Sequence, residues 1–392
     1  MPGCAVWSRK FLGGLLLVFL LGCGIVAWRE RSAILSWFYI HNLARASDAT
    51  RSRWVGRVAN LGETALPGLC DCLSQSDAHV CANARAALEQ MTHAWGYGHA
   101  RTAELASRLS SEFVRFSPAG QKQVLDLAVG WFRQPSSQLD RLASACADLI
   151  GESAAVDDEE VRGSALELCG LLLNRSADVS GDRAGKPVEP ARKLVAVALH
   201  ARTADHRLHA VSLSLSPGLT DLLKEAATLL DDESPQVRRA VLVAVTEARG
   251  MVHDDQLLPC LHDPDPDVRR LCEQVLIARG LRHEYLELGR LLTDPQPAKR
   301  LQVLDRLSES TELDAGLWLR RLSHDPADSV RVAAMRAMSQ QSFVDLSERI
   351  DDMAHNDASP TVCQLARYYL SSPRRQRTPP AASPPLRGSN FK

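Results

Sequence analysis

Soft metal ligands cluster in the first quarter of the chain. Cys70, Cys72, His79 and Cys81 lie within twelve residues, and thiolate and imidazole are ligands that Zn²⁺ prefers. However, Cys70 continues an i, i+3, i+4, i+7 apolar stripe that begins at Leu66, which predicts a core position. Cys72 lies about 200° around the same helix from Cys70. We therefore predict no metal site here, and we interpret the scattered cysteines as small buried hydrophobic residues.

The other residues that could take part in metal binding or catalysis are also isolated. His206 and His209 share a helical face beside Asp205, but no third metal ligand is evident. The aromatic, glycine-rich stretch from His93 to His99 fits a binding loop or an inter-repeat connector, and we favour the connector. No phosphate-binding loop, dinucleotide fingerprint, nucleophile elbow or paired zinc motif occurs. We predict no catalytic, cofactor-binding or metal-binding residue and no small-molecule substrate.

Composition favours helices. Of 392 residues, 45% are apolar and only 5% aromatic, which suits helices packed through Leu, Ala and Val. A net charge of −1 provides no bulk field to recruit nucleic acid, so we predict no nucleic-acid partner. Only seven of the 46 basic residues are lysine. This arginine bias is typical of GC-rich genomes and indicates a bacterial source.

A short motif recurs five times in the second half of the chain. Each copy combines an aspartate, a proline or alanine, an apolar residue and usually an arginine. The aspartates are 31, 31, 31 and 32 residues apart, at Asp232, Asp263, Asp294, Asp325 and Asp357. A fixed period of this length is characteristic of repeat architectures.

The residues of the motif predict a helix that begins directly after the aspartate. Proline is favoured at the first helical position because its missing N–H would be unpaired there. The preceding Ser234, Asp265 or Ser359 is a good N-cap. Gly250 and Gly280 are expected to end the helices. A Leu-rich helix follows, so the unit is helix, turn, helix in about 31 residues.

The pattern Asp-x-x-Pro-x-Val-Arg, between a Leu-rich helix and an Ala/Val-rich helix, resembles the HEAT repeat in its short bacterial, phycobilisome-lyase-like form. Strong copies cover residues 218–371, and another covers 61–88. Weaker copies cover 157–173 and 204–215, whereas 93–139 departs from the pattern. The resemblance implies an all-α fold, an α-solenoid of HEAT-like helix-turn-helix repeats, to which we add one N-terminal transmembrane or signal helix.

The resemblance also implies a role for the repeat arginines. Arg238, Arg269, Arg300 and Arg331, with the repeat aspartates, would form a ladder that links successive turns. The alternative is an arginine stripe that binds an anionic partner, which makes these four arginines the candidate binding residues. Cys363 replaces the arginine in the last copy, as expected of a repeat at the end of an array.

An uncharged run at residues 11–28 predicts the membrane helix. Eighteen residues at 1.5 Å each span about 27 Å, enough to cross a hydrocarbon core. We favour an uncleaved single-pass anchor. A lipoprotein with lipidation at Cys23 is the first alternative, and a cleaved signal peptide is the second. Flanking charges nearly balance, and the N-terminal amine favours repeats outside the cytoplasm.

Residues 33–40 follow the apolar run and are too short to span a bilayer. Their aromatic side chains suit a membrane interface, although a first solenoid helix would have the same pattern.

These features divide the chain into five segments. They are the anchor or signal segment 1–31, N-terminal helical repeats 32–173, a linker or exposed loop 174–193, C-terminal HEAT-like repeats 194–371, and a disordered Pro/Arg-rich tail 372–392.

The resemblance implies a scaffold function. A membrane-tethered solenoid would bind a protein or peptide in a long groove, and the sequence does not identify that partner. The alternatives are an accessory or lyase-type enzyme, since similar repeats occur in bilin lyases and hydroxylases, a lipoprotein of the cell envelope, and a nucleic-acid binder like the helical-repeat DNA glycosylases.

Overall fold

The computed structural model describes most of the chain. The described residues are 31–133, 139–177, 188–246, 248, 250–309, 313–340 and 347–371. They contain helices and turns and no β-strand. The predicted membrane run 11–28, Cys23 and the predicted tail 372–392 lie outside them.

The first compact unit ends at Val252. Its described α-helices are α1 (Arg31–Ala44), α2 (Asp48–Ala59), α3 (Leu66–Leu73), α4 (Ala78–Trp95), α5 (Ala100–Glu112), α6 (Pro118–Arg133), α7 (Asp140–Ser153), α8 (Glu159–Ala177), α9 (Val188–Leu199), α10 (Ala204–Leu213), α11 (Leu223–Ala226) and α12 (Pro235–Ala244). Short 3-10 helices cover Gly62–Ala65, Phe113–Arg115, Thr220–Leu222 and Ala227–Asp231.

Helices of the first unit stack in two rows. The even-numbered helices α2, α4, α6, α8, α10 and α12 pack in sequence, each on the next. We call this row the even-helix row. Among the odd-numbered helices, α5 packs on α7 and α7 on α9. Large side chains such as Phe113, Trp131 and Leu142 are almost fully buried, each stabilising the fold by about 1.5–3 kcal/mol relative to exposure.

The second compact unit begins at His253. Its described α-helices are α13 (Asp254–Leu257), α14 (Pro266–Ala278), α15 (His283–Leu292), α16 (Pro297–Glu309), α17 (Ala315–Leu322), α18 (Asp328–Gln340), α19 (Ser347–Asn356) and α20 (Pro360–Ser371), with a 3-10 helix at Leu258–His262. Helix α16 packs on α18, and α18 on α20. Trp318 and Met335 are among the residues that fill its core.

The predicted linker at 174–193 is partly helical. Helix α8 continues to Ala177 and α9 begins at Val188, so residues 174–177 and 188–193 belong to helices. Helices also pack across this segment, α7 on α9 and α8 on α10. Residues 178–187 lie outside the described chain.

The motif starts helices largely as predicted. Helices begin at Pro235, Pro266, Pro297 and Pro360, and the N-cap Asp265 accepts two first-turn N–H groups. The predicted capping by Ser234 is wrong. Its hydroxyl contacts the side chain of Gln236 instead, at 2.8 Å.

Of the two glycines predicted to end helices, only one does so. Gly280 has φ +92°, and the N–H of Leu281 reaches back to the carbonyl oxygen of Leu276 at 2.9 Å, which is the Schellman arrangement that favours glycine. Gly250 does not end its helix, because α12 already stops at Ala244.

Residues 93–139, which depart from the sequence pattern, still contain a helix pair. Helices α5 and α6 lie here, and Trp131 of α6 donates its indole N–H to Thr92 at 3.2 Å. In the stretch from His93 to His99, residues 93–95 end α4 and residues 96–99 connect α4 to α5. His99 caps α5 by accepting the N–H of Arg101.

No helix in the described ranges is both long enough and apolar enough to span a membrane.

Candidate functional site

Each strong repeat enters its motif helix through the same turn. One carboxylate oxygen of the repeat aspartate accepts the backbone N–H two residues later, at 2.8 Å in all five copies. This bond forms an Asx turn. The aspartate therefore fixes the entry of the chain into the helix.

In several repeats an arginine connects the turn to the next repeat. Nη1 of Arg300 donates to the carbonyl oxygens of Asp294 and Pro295 at 2.8 and 3.1 Å. Its Nε and Nη2 donate to the two carboxylate oxygens of Asp325 at 2.6 and 2.8 Å. The side chains of Arg300 and Asp325 are only 8% and 3% exposed. Bidentate pairs of this kind are among the strongest hydrogen-bonded contacts in proteins.

Two further rungs have the same geometry. Arg331 contacts both carboxylate oxygens of Asp357 at 2.9 and 2.8 Å, and Arg207 contacts those of Asp232 at 2.6 and 2.8 Å. Burial raises the pKa of Asp357, but the hydrogen bond from Arg331 and the other attractive contacts outweigh it, so the pKa lies below its usual value. The predicted ladder is confirmed at Arg300 and Arg331, each of which bridges its own turn and the next aspartate. The Arg207 rung was not predicted. In each compact unit, the described residues thus form an all-helical repeat array.

The other rungs vary. Arg238 bonds to the carbonyl oxygen of Asp232 at 2.6 Å. Arg269 donates to the carbonyl oxygen of Asp263. The carboxylate of Asp294, the next aspartate, pairs with Lys299 at 3.3 Å.

In the last copy a thiol takes the arginine position. Sγ of Cys363 donates to the carbonyl oxygen of Asp357 at 3.2 Å. The cysteine therefore replaces the backbone contact of the arginine without providing a guanidinium for a further repeat.

Arg207 is a ladder residue that sequence reasoning missed. The position of its repeat aspartate is occupied by Ala201, so the motif is incomplete. Arg207 nevertheless donates to the carbonyl oxygens of Ala201 and Arg202, both at 2.9 Å. It lies 31 residues before Arg238, and this spacing alone would have identified it.

The four candidate binding arginines all contact backbone carbonyl oxygens. Arg238 and Arg300 are each 7% exposed, and Arg269 and Arg331 are half-buried. These contacts explain the positions of the four arginines by their role in the ladder. An anionic partner for them stays a prediction.

The three cysteines of the predicted cluster lie in the core, whereas His79 is exposed. Cys70, Cys72 and Cys81 are buried free thiols. Burial raises the pKa of Cys70 to about 12 and that of Cys72 to about 11. Sγ of Cys81 donates to backbone carbonyl oxygens, including that of Gln75 at 3.2 Å. In the described part of the chain, no group of three or more His, Cys, Asp or Glu residues is arranged to hold a metal ion.

His206 and His209 lie where α10 packs on α8. A Cβ on Gly163 would come within 3.0 Å of His206 Nε2, so this glycine allows the close approach. Nδ1 of His206 lies 2.6 Å from a carboxylate oxygen of Glu159. His209 is half-buried one turn further along α10. The two predicted face-sharing histidines therefore have different surroundings.

A shallow groove lies on the even-helix row between α10 and α12. Its volume is about 520 Å³, and it is lined by Asp205, Leu208, His209, Val211, Ser212, Leu215, Ala240 and Val243. Val243 and Leu215 are 57% and 49% exposed, so large apolar side chains face solvent here.

The groove is electrostatically uneven. Burial lowers the pKa of His209, helped by His206 and opposed by Glu167, which leaves its imidazole neutral at neutral pH. Asp205 at the edge is exposed and has no ion-pair partner within the described ranges. The groove thus combines a neutral, apolar floor with one exposed negative charge.

Comparisons with known proteins give limited matches. No protein-family model and no curated protein matches the chain. Among solved structures, a crystal structure of importin beta in a polyethylene glycol condition has a TM-score of 0.48 and 13% identity, covering 86% of this chain and 53% of that chain. The chain thus spans about half the length of that importin beta. A crystal structure of an engineered protein has a TM-score of 0.37 and 14% identity, covering 87% and 93%. Neither likeness carries an argument about function.

Proposed function

We propose that this protein is a membrane-tethered scaffold whose groove between α10 and α12 binds a peptide segment of a partner protein. The observation that carries the proposal is the cluster of exposed apolar side chains, including Leu215 and Val243, on two adjacent repeats. A cluster of apolar side chains exposed to solvent commonly marks an interaction site. The role requires no catalysis by the repeats.

The side chains that line the groove indicate what kind of peptide segment would bind there. An apolar floor with a neutral His209 accepts apolar side chains, and the exposed carboxylate of Asp205 lacks an ion-pair partner in the described chain. We infer a segment that carries apolar anchor residues and a lysine or arginine positioned opposite Asp205. Electrostatic complementarity of this kind mainly sets orientation and partner choice.

The membrane tether is the second part of the proposal. The uncharged run 11–28 is long enough to cross a bilayer, and it would hold the repeats close to a membrane protein partner. We propose that the repeats lie outside the cytoplasm, and protease digestion of intact cells, followed by detection of the repeats, reports the side.

Val243→Glu is expected to weaken partner binding at least about tenfold, because it buries a charge under an apolar segment. The measurement is the amount of partner recovered by the full chain from detergent-solubilised membranes. Val114→Glu is the matched control, since Val114 belongs to the same unit and is 71% exposed, but lies outside the groove. Equal recovery by the Val243→Glu variant and the unmodified chain would show that the groove is not the docking site.

Partner binding should also weaken as the pH falls. The pKa of His209 lies below its usual value, so the neutral form dominates at neutral pH and the imidazole gains a proton only as the solution becomes acidic. That proton places a charge in the apolar groove. We expect less partner recovered at about pH 5.5 than at about pH 7.5.

His209→Gln separates this effect from any contribution of the neighbouring His206, Glu167 and Asp205. The variant retains a polar side chain but cannot be protonated in this range, so its recovery should fall less with acidification. An identical fall in the variant and the unmodified chain would assign the pH dependence to other groups.

A further inference from the structure

The first helix has an exposed apolar face. On α1, Ile34, Leu35, Trp37 and Phe38 are 51%, 43%, 66% and 46% exposed. These four large apolar side chains lie within five residues, with only the buried Ser36 between them. Their exposure would be costly in water unless something covers them.

The opposite face of α1 is docked in the fold. Ile40 and Leu43 are 9% and 1% exposed, and Ser36 donates its hydroxyl to the carbonyl oxygen of Thr64 at 3.2 Å. Helix α1 also packs on α2 and α4. The exposed face therefore has a fixed orientation on the first unit.

Helix α2 extends this face with an aromatic ring and two arginines. Trp54 lies edge-on to Phe38, with ring centroids 6.2 Å apart. The guanidinium of Arg57 lies 4.9 Å from the Trp54 ring centroid and 5.8 Å from that of Tyr39, and the guanidinium of Arg53 lies 5.8 Å from the Trp54 centroid. We call the surface formed by Ile34, Leu35, Trp37, Phe38, Trp54, Arg53 and Arg57 the α1–α2 patch.

The charge around the patch is strongly positive. Residues 31–60 contain five arginines and a single acidic residue, Asp48, a net charge of +4, whereas the whole chain has a net charge of −1. Within the described ranges, Arg45, Arg53 and Arg57 form no ion pair with a carboxylate. Their charge is therefore available to an external anion.

We propose that the α1–α2 patch lies on the surface of an anionic lipid bilayer and holds the first unit against it. Tryptophan and tyrosine favour the membrane–water interface, and arginines close to an anionic leaflet are attracted to its headgroups. The proposal rests on the membrane tether. Because only five residues lie between Trp28 and Ile34, the start of the patch at Ile34 can lie at most about 20 Å from the end of the anchoring run.

A photocross-linking experiment tests this inference. The full chain carries Trp37→benzoylphenylalanine and is reconstituted with vesicles of phosphatidylcholine, with or without phosphatidylglycerol. Flotation of the vesicles first reports whether the chain is membrane-bound. Tyr368→benzoylphenylalanine on α20 is the matched control, because Tyr368 is 63% exposed and Trp37 66%. Illumination then identifies what each position touches.

We expect lipid cross-links at position 37 to exceed those at position 368 when phosphatidylglycerol is present. Adding Arg53→Gln and Arg57→Gln should lower the ratio of docked to undocked patch by about fivefold per arginine in these vesicles. A cross-link from position 37 to residues 1–30 or to a second copy would overturn the proposal. So would lipid cross-links that depend on neither phosphatidylglycerol nor the two arginines. A chain that does not float with vesicles would refute the tether itself, whereas a floating chain without lipid cross-links at position 37 refutes only the patch.

Discussion

Arg300→Ala is expected to lower the free energy of unfolding of the second unit by about 3–5 kcal/mol, the cost of leaving one partner of a buried ion pair unpaired. Arg300 satisfies two backbone carbonyl oxygens and the carboxylate of Asp325 at once. Its removal strands a carboxylate that is only 3% exposed. Urea unfolding of the full chain, followed by circular dichroism, measures the change.

Arg306→Ala provides the control on the same helix. Arg306 is 61% exposed and pairs with Glu309 at 3.4 Å, and exposed pairs of this kind contribute about 0–1 kcal/mol. If Arg300→Ala cost no more than Arg306→Ala, the ladder would not be a major source of stability. The double variant Arg300→Ala/Asp325→Asn should recover part of the loss, because it removes the stranded charge and keeps the acceptor of the Asx turn.

Gly120→Ala is the second substitution with a large expected effect. A Cβ at Gly120 would lie 1.9 Å from the carbonyl oxygen of Leu73 and 2.8 Å from its carbonyl carbon. Both atoms belong to backbone at the end of α3, so a rotamer change cannot relieve the clash. We expect a loss of about 3 kcal/mol, at the upper end of the usual cost of overpacking, measured as a shift in the unfolding midpoint.

Gly130→Ala on the same helix should have the opposite sign. A Cβ at Gly130 meets no atom within 4 Å, and alanine is favoured over glycine in a helix by about 1 kcal/mol. Both substitutions add one methyl group to a glycine of α6. They differ only in the atoms that surround the added methyl group. Equal effects would show that α6 does not approach the end of α3 as closely as described.

The repeat was predictable where its whole motif is present in the sequence. Asp263, Pro266 and Arg269 each act through local backbone geometry, namely an Asx turn, a helix start and bonds to nearby carbonyl oxygens. Such interactions depend on sequence spacing alone. Residues 93–139 lack an aspartate and an arginine at the spacing of the motif, so their two helices were not assigned as a repeat. The pair Ser117-Pro118 marks the start of α6, just as Ser234-Pro235 marks the start of α12.

Features that depend on the approach of distant segments were not predictable. The need for glycine at position 120 arises only because the backbone of Leu73, 47 residues earlier, passes against α6. The groove has the same origin. Leu215 and Val243 read as ordinary apolar residues of helical segments, and their exposure follows from how α10 and α12 meet.

The thiol at the last ladder position has a consequence for self-association. A repeat array can in principle extend by adding another molecule at its end, as an open filament. Arg207, Arg300 and Arg331 each reach forward to the next aspartate. The thiol of Cys363 contacts only the carbonyl oxygen of its own turn, at 3.2 Å. An incoming copy therefore finds no guanidinium to neutralise a carboxylate that it would have to bury. We therefore expect this end of the ladder to disfavour the addition of a further copy.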